Sequence, residues 1–307
     1  MGKAQPLLPE RLPPHARLMV PVLAAVGGSG RSVVAALLAD ALAAHGDTVL
    51  LDTVPRLTSP WPDWTAARPG EGLAALPPGR PAGRLQARTA AATVPAGGRH
   101  PWQVMTDHQP WHTAPLVLPD APEAWHQLTA TGGWQIAVAD TGHPLTHDLI
   151  TARHTTAPAL STRWCALPCA LPVLCAAATG HGAAALQTAV MAGEADGLPW
   201  ARTTIALTAT ADGRLPAPIR AAVTMLQPKV GAVVHIPFDE RIRSHGLRDP
   251  ARLKPRTLAA GHRLAEAVLA SAHQSWGTPL PPAAAPAAYT EGPTHRGPAP
   301  DAADVPR

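Results

Sequence analysis

An α/β fold, a doubly wound and mainly parallel sheet flanked by helices, is what this 307-residue sequence predicts. Three observations predict it. Short apolar runs recur along the chain with helix-length segments between them, and strands buried on both faces read as continuous apolar runs linked by helical crossovers. Hydrophobic residues make up 46% of the chain, enough for a sizeable core. The first apolar run passes through a glycine-rich turn directly into helical spacing.

The first strand covers residues 18–25 (LMVPVLAA). The helix after it spans about residues 32–44, because Val33, Val34, Leu37, Leu38 and Leu42 recur at helical spacing, and Gly46 supplies an αL cap. Further strands are read at residues 48–52 (TVLLD), 102–106, 135–140 (QIAVAD), 173–178, 204–208 and 230–236. Helices are expected near residues 71–76, 121–131, 182–192, 216–226 and 256–274. Residues 1–17 and the Pro/Ala-rich residues 276–307 lack periodicity and are expected to be disordered, leaving one folded domain over residues 18–275. Within it, residues 55–98 are rich in Pro, Gly and Arg, and read equally as a mobile lid or as a surface insertion.

Composition narrows the function classes. A formal net charge of +4 permits an anionic partner without demanding one. Cys165, Cys169 and Cys175 have no second pair to complete a structural zinc site, and read as small packing residues of a reduced, cytoplasmic protein. The longest apolar stretch, residues 164–178, is broken by Pro168 and Pro172, so no stable membrane insertion is expected. Nine Trp against one Phe and one Tyr are read as genomic bias, without functional meaning. No G-x-S-x-G or H-E-x-x-H pattern supports a hydrolase or metalloprotease. His143, His147 and His154 read as a polar loop rather than a metal site, since Pro144 opposes a helix that would align them.

The most informative stretch is residues 25–32, AVGGSGRS, between the first strand and the first helix. Consecutive glycines let backbone N–H groups close around phosphate oxygens, and the helix N-terminus adds partial positive charge. In the phosphate-binding pattern G-x-x-x-x-G-K-[ST], Gly30, Arg31 and Ser32 fall on the last three positions, while Ala25 stands at the first Gly. Taken alone, the loop reads as readily as a ligand-free strand-to-helix turn.

Three features in order, VGGSGRS, VLLDTVP (residues 49–55) and WQIAVADTG (residues 134–142), resemble the ParA/MinD family of deviant-Walker P-loop ATPases. HIPFDERIRSHG, residues 235–246, is similar to that family's late I-P-x-D segment near the adenine site. The resemblance implies a homodimer that binds ATP and Mg²⁺, hydrolyses slowly, and positions DNA or a cellular machine. It assigns nucleotide contacts to Gly27, Gly28, Ser29, Gly30, Arg31, Ser32 and Val33, with Pro237 and Asp239 near the base. It assigns Mg²⁺ to Ser32 and Asp140, the latter contacting the metal or its water, and catalysis to Asp52, which would orient water, and Arg31.

Departures from the family pattern bear on activity. Val26 stands where the signature Lys falls, Arg31 at the second Lys, and Val54 at the second Asp of D-x-D-P. Nucleotide binding is expected to survive better than turnover, which leaves ATPase activity open. Arg241, Arg243 and Arg248 belong to a late basic cluster that would contact nonspecific DNA by phosphate neutralisation, or serve as a solvated face with internal ion pairs. The expected function is a ParA/MinD-like switch protein in DNA partitioning or positioning, with a partner protein of the ParB type. The alternative is a pseudo-ATPase scaffold that localises a pilus, secretion or conjugation machine.

Overall fold

The computed structural model describes residues 11–68, 70–76, 82–93, 100–155, 157–248 and 250–285. Along the chain lie β1 (Leu18–Ala24), α1 (Arg31–Leu42), β2 (Thr48–Asp52), α2 (Trp61–Trp64), α3 (Arg84–Thr89), β3 (Ala91–Thr93), β4 (Gln103–Met105), α4 (Pro122–Gly132) and β5 (Ile136–Pro144). Then follow α5 (Leu145–Arg153), α6 (Leu160–Ala166), β6 (Val173–Ala177), α7 (Gly180–Ala195), β7 (Thr204–Thr208), α8 (Ala217–Leu226), β8 (Ala232–Ile236), α9 (Glu240–His245) and α10 (Pro255–Trp276). The strands form one sheet in the order β3-β4-β2-β5-β1-β6-β7-β8, parallel except where β3 runs antiparallel to β4.

Alternation along β1 shows how both faces are buried. Leu18, Val20 and Val22 pack under α1 and α10, whereas Met19 and Leu23 enter the cores on the opposite face. Helix α1 is buried on most of its circumference because α10 closes over its outer side. Gly261 permits that approach, since a Cβ there would lie 3.0 Å from the Leu37 carbonyl oxygen. On the second face, α5, α7 and α8 supply Leu149, Leu186, Val190, Ile219 and Leu226 to one cluster, and Trp125, Trp134 and Trp164 anchor another under β2, β4 and β5.

The doubly wound sheet predicted from the sequence is present, and β2 and β7 begin and end at the residues expected. Other expectations are corrected. The segment 71–76 forms only a 3-10 turn at Leu73–Ala75, too short between Gly72 and Pro77 for an α-helix. Helices α2, α3, α5, α6 and α9 and strand β3 are too short for periodicity to reveal. Leu12 and Ala16 before β1, and Leu280 after α10, are buried in the main core, so order extends beyond residues 18–275 on both sides. The Ala283 amide also donates to the His15 carbonyl at 2.9 Å. The remainder of the segments expected to be disordered, residues 1–10 and 286–307, lies outside the described residues. No described helix is long and apolar enough to cross a membrane.

Candidate functional site

The loop after β1 is shaped by two glycines in the left-handed region, Gly28 at φ 76° and Gly30 at φ 75°. Gly30 is the N-cap of α1, and its carbonyl accepts from the Val34 amide at 2.9 Å. A Cβ on Gly30 would meet Thr208 Cγ2 at 3.1 Å, so both conformation and space demand glycine there. Thr208, at the end of β7, braces the loop by donating from its hydroxyl to the Ser29 carbonyl at 2.9 Å. Ser29 is itself buried and donates its hydroxyl to the Val26 carbonyl, which makes its side chain an internal strut. The backbone N–H groups from Gly27 to Val33 have no hydrogen-bond acceptor among the described residues. They border a cavity of about 310 Å³ lined by Gly27, Gly28, Gly30, Arg31, Ser32 and Val33, with Pro60, Trp64 and Gly142 across it. A row of unspent N–H groups at a helix N-terminus is a binding surface for phosphate oxygens.

The two acidic residues sit side by side, because Asp52 of β2 is the register partner of Asp140 of β5. Each is held by protein donors. Asp140 is fully buried; its Oδ1 accepts from Arg31 Nε at 2.8 Å and its Oδ2 from Trp61 Nε1 at 2.8 Å. Asp52 Oδ2 accepts from the hydroxyls of Ser59 and Thr106, both at 2.6 Å, and its Oδ1 from the Val54 amide at 3.2 Å. Burial drives the Asp52 pKa up to about 7 against the lowering effect of the two hydroxyls, and the Asp140 charge beside it adds to the rise.

The phosphate groups of a nucleotide fit this chemistry. Arg31 spends Nε on Asp140, while neither of its terminal nitrogens has an acceptor among the described residues, and the side chain lines the cavity. Mg²⁺ does not fit the pair expected for it. Ser32 lines the cavity, but an indole N–H and a guanidinium occupy both Asp140 oxygens, and neither group is a metal ligand. A cation taking Oδ2 would strand the N–H of Trp61, which is 1% exposed, at a cost of about 1–3 kcal/mol. Among the described residues no group of three His, Cys, Asp or Glu side chains is placed to hold a metal.

Other residues singled out in the sequence fall elsewhere. Pro237 and Asp239 do not line this cavity. The Asp239 carboxylate caps α9 through the Arg241 amide at 3.0 Å and binds the Lys254 amide at 2.9 Å and the Thr257 hydroxyl at 2.8 Å, joining α9 to α10. Burial raises its pKa, but those three donors and the Lys254 charge outweigh it and hold the group below the usual carboxylate range. His143 ties β5 to α6 through the Ser161 hydroxyl at 3.0 Å, and burial lowers its pKa, while His147 and His154 are exposed. Burial raises the Cys165 thiol to about 12 and Cys175 further, as suits inert core cysteines. Arg241 and Arg243 are exposed, and Arg248 pairs with Asp63 at 2.8 Å.

Sequence reasoning missed Ser59, Trp61, Thr106 and Thr208. Residues 55–65, read as part of a lid or insertion, instead fold back over the site. Arg56 anchors them by pairing with the buried Asp107 at 3.1 Å and donating to the Thr113 carbonyl at 2.6 Å. Within residues 55–98, positions 69, 77–81 and 94–98 lie outside the described residues. A signal was present in the tryptophans. Trp61 stacks edge-on with Trp64 at 5.4 Å and Trp102 at 6.3 Å, a cluster that composition alone did not locate.

No family model matches the chain, and no curated protein matches it. Among solved structures, it is similar to a ParA family ATPase from Chlorobium tepidum TLS at 13% identity, covering 82% of this chain and 99% of that one, with a TM-score of 0.54. Apo McdA from Cyanothece matches at 12% identity over 82% and 99% of the two chains, with a TM-score of 0.51. A chain of the MinC:MinD cell division protein complex of Aquifex aeolicus matches at 12% identity over 85% and 95%, with a TM-score of 0.50.

Proposed function

We propose, on the premise of the ParA/MinD-like P-loop ATPase fold that this chain has, that it binds ATP at the Gly27–Val33 loop and uses the bound nucleotide as a signal for positioning or assembly, with turnover slow or absent. The row of unspent N–H groups around the cavity, with the free end of Arg31 beside it, carries the binding half of this reading. The engaged carboxylates support the rest. A water-orienting base must reach its water, and Asp52 instead accepts three hydrogen bonds from its own chain. Positioning as the output is what the resemblance to the ParA/MinD family implies, and a ParA family ATPase and a chain of a cell division complex share the fold.

This reading brings with it a homodimer, a partner protein of the ParB type, and nonspecific DNA at Arg241 and Arg243, with Arg248 available once released from Asp63. The placement of both acidic side chains also favours the second reading, a scaffold that localises a pilus, secretion or conjugation machine through protein contacts. Calorimetric titration with ATP, paired with a phosphate-release assay at saturation, tests the common core. Saturable binding of one nucleotide per chain is expected, with release no faster than the protein-free control. Absence of saturable binding would overturn it, and rapid release would assign the acidic pair a catalytic role.

A further inference from the structure

We infer that the loop takes its nucleoside polyphosphate free of a divalent cation, with Arg31 standing in for the metal and Trp61 keeping the metal out. The inference rests on the nucleotide-binding reading and names the charge state of that site's ligand. Four facts converge on it. Asp140 is the fully buried acid midway along β5, and each of its oxygens already accepts from an N–H donor, one of them a guanidinium that neutralises its charge. The other acid, Asp52, is engaged as well, by two hydroxyls and an amide. Arg31 is fixed through Nε, which leaves its planar fork free to face the cavity and bind phosphate oxygens in pairs. Trp61 is held rigidly: its amide donates to the Ser59 hydroxyl at 3.1 Å, and its ring packs against Trp64 and Trp102.

Mg²⁺ demands near-octahedral oxygen ligands and gives up water reluctantly. To bind Asp140 directly it would have to displace the indole from Oδ2 or the guanidinium from Oδ1, and in either case it would sit beside the Arg31 charge. A polyphosphate meets no such obstacle, because the N–H row and the Arg31 fork are already free. Trp61 is thus a specificity-determining residue, acting on the metal through Asp140 without touching the nucleotide.

ATP titrated calorimetrically into the full chain, in excess EDTA and in excess MgCl₂, tests this. The two dissociation constants should agree within about threefold. Binding that EDTA abolishes, or that Mg²⁺ tightens by more than about tenfold, would overturn the inference while leaving nucleotide binding intact. Failure to bind in either medium would overturn both. Trp61→Phe keeps an aromatic ring and frees Asp140 Oδ2, so Mg²⁺ should then tighten ATP binding severalfold, with the EDTA value unchanged. Continued indifference to Mg²⁺ in that variant, with circular dichroism showing it folded, would remove Trp61 from the role.

Discussion

Replacing Arg31 with Met should destabilise the chain by about 3 kcal/mol in urea denaturation at pH 7, the largest loss expected from any single change in the site. Asp140 has no exposed surface, and its other partner, the Trp61 indole, is neutral. Removing the guanidinium therefore leaves a buried carboxylate without compensating charge, and such charges are strongly unfavourable once unpaired. Because Arg31 retains 18% side-chain exposure, water can relieve part of the loss, which places it at the low end of the usual range. The double change Arg31→Met with Asp140→Leu should recover most of the stability, since an apolar pair of similar size removes both desolvation penalties. ATP affinity should not recover with it. A single variant as stable as the wild type would mean that the ion pair contributes nothing to the fold.

The second large effect concerns Asp52. Its folded pKa of about 7 lies above the ordinary carboxylate value, chiefly because the group is buried. Between about pH 4 and pH 7 the folded state therefore keeps a proton that the unfolded chain has released. Stability falls as pH rises through that window and levels off above it. Asp52→Asn removes the titration while keeping the shape, and the hydroxyls of Ser59 and Thr106 can turn to accept from the new amide. At pH 8 this variant should exceed the wild type by about 2–4 kcal/mol, with the difference vanishing near pH 4. Equal stability of the two proteins at pH 8 would show that the carboxylate is better solvated than its surroundings imply.

Much of the frame was legible in the sequence because burial on both faces leaves an unbroken apolar signature. The strands at Thr48–Asp52 and Thr204–Thr208 stood out for that reason, as did the loop from Gly27 to Ser32, whose glycines and position between strand and helix both announce it. The partners of the two acids were hidden. Trp61 reaches Asp140 across 79 positions by the folding of α2 over the sheet, and Thr106 reaches Asp52 across 54 through the β2–β4 register. Residues 55–65 looked like an insertion because their order comes from tertiary contacts, the Arg56–Asp107 pair and the tryptophan cluster, and leaves no period in the chain. Asp239 shows how a motif hides a structural task. The I-P-x-D resemblance pointed to the base, and the motif alone did not reveal that the carboxylate caps a helix and joins α9 to α10, a task for which Asp is among the best suited residues.

A crystal structure of the chain with a non-hydrolysable ATP analogue, grown with MgCl₂ present, would show whether Arg31 or a cation meets the phosphates. Phosphate oxygens should lie on the N–H groups of Gly27 to Val33, with Arg31 Nε still bound to Asp140 and its terminal nitrogens on the phosphates. A cation held between Ser32 and Asp140 with Arg31 swung aside, or an analogue bound away from the loop, would contradict it.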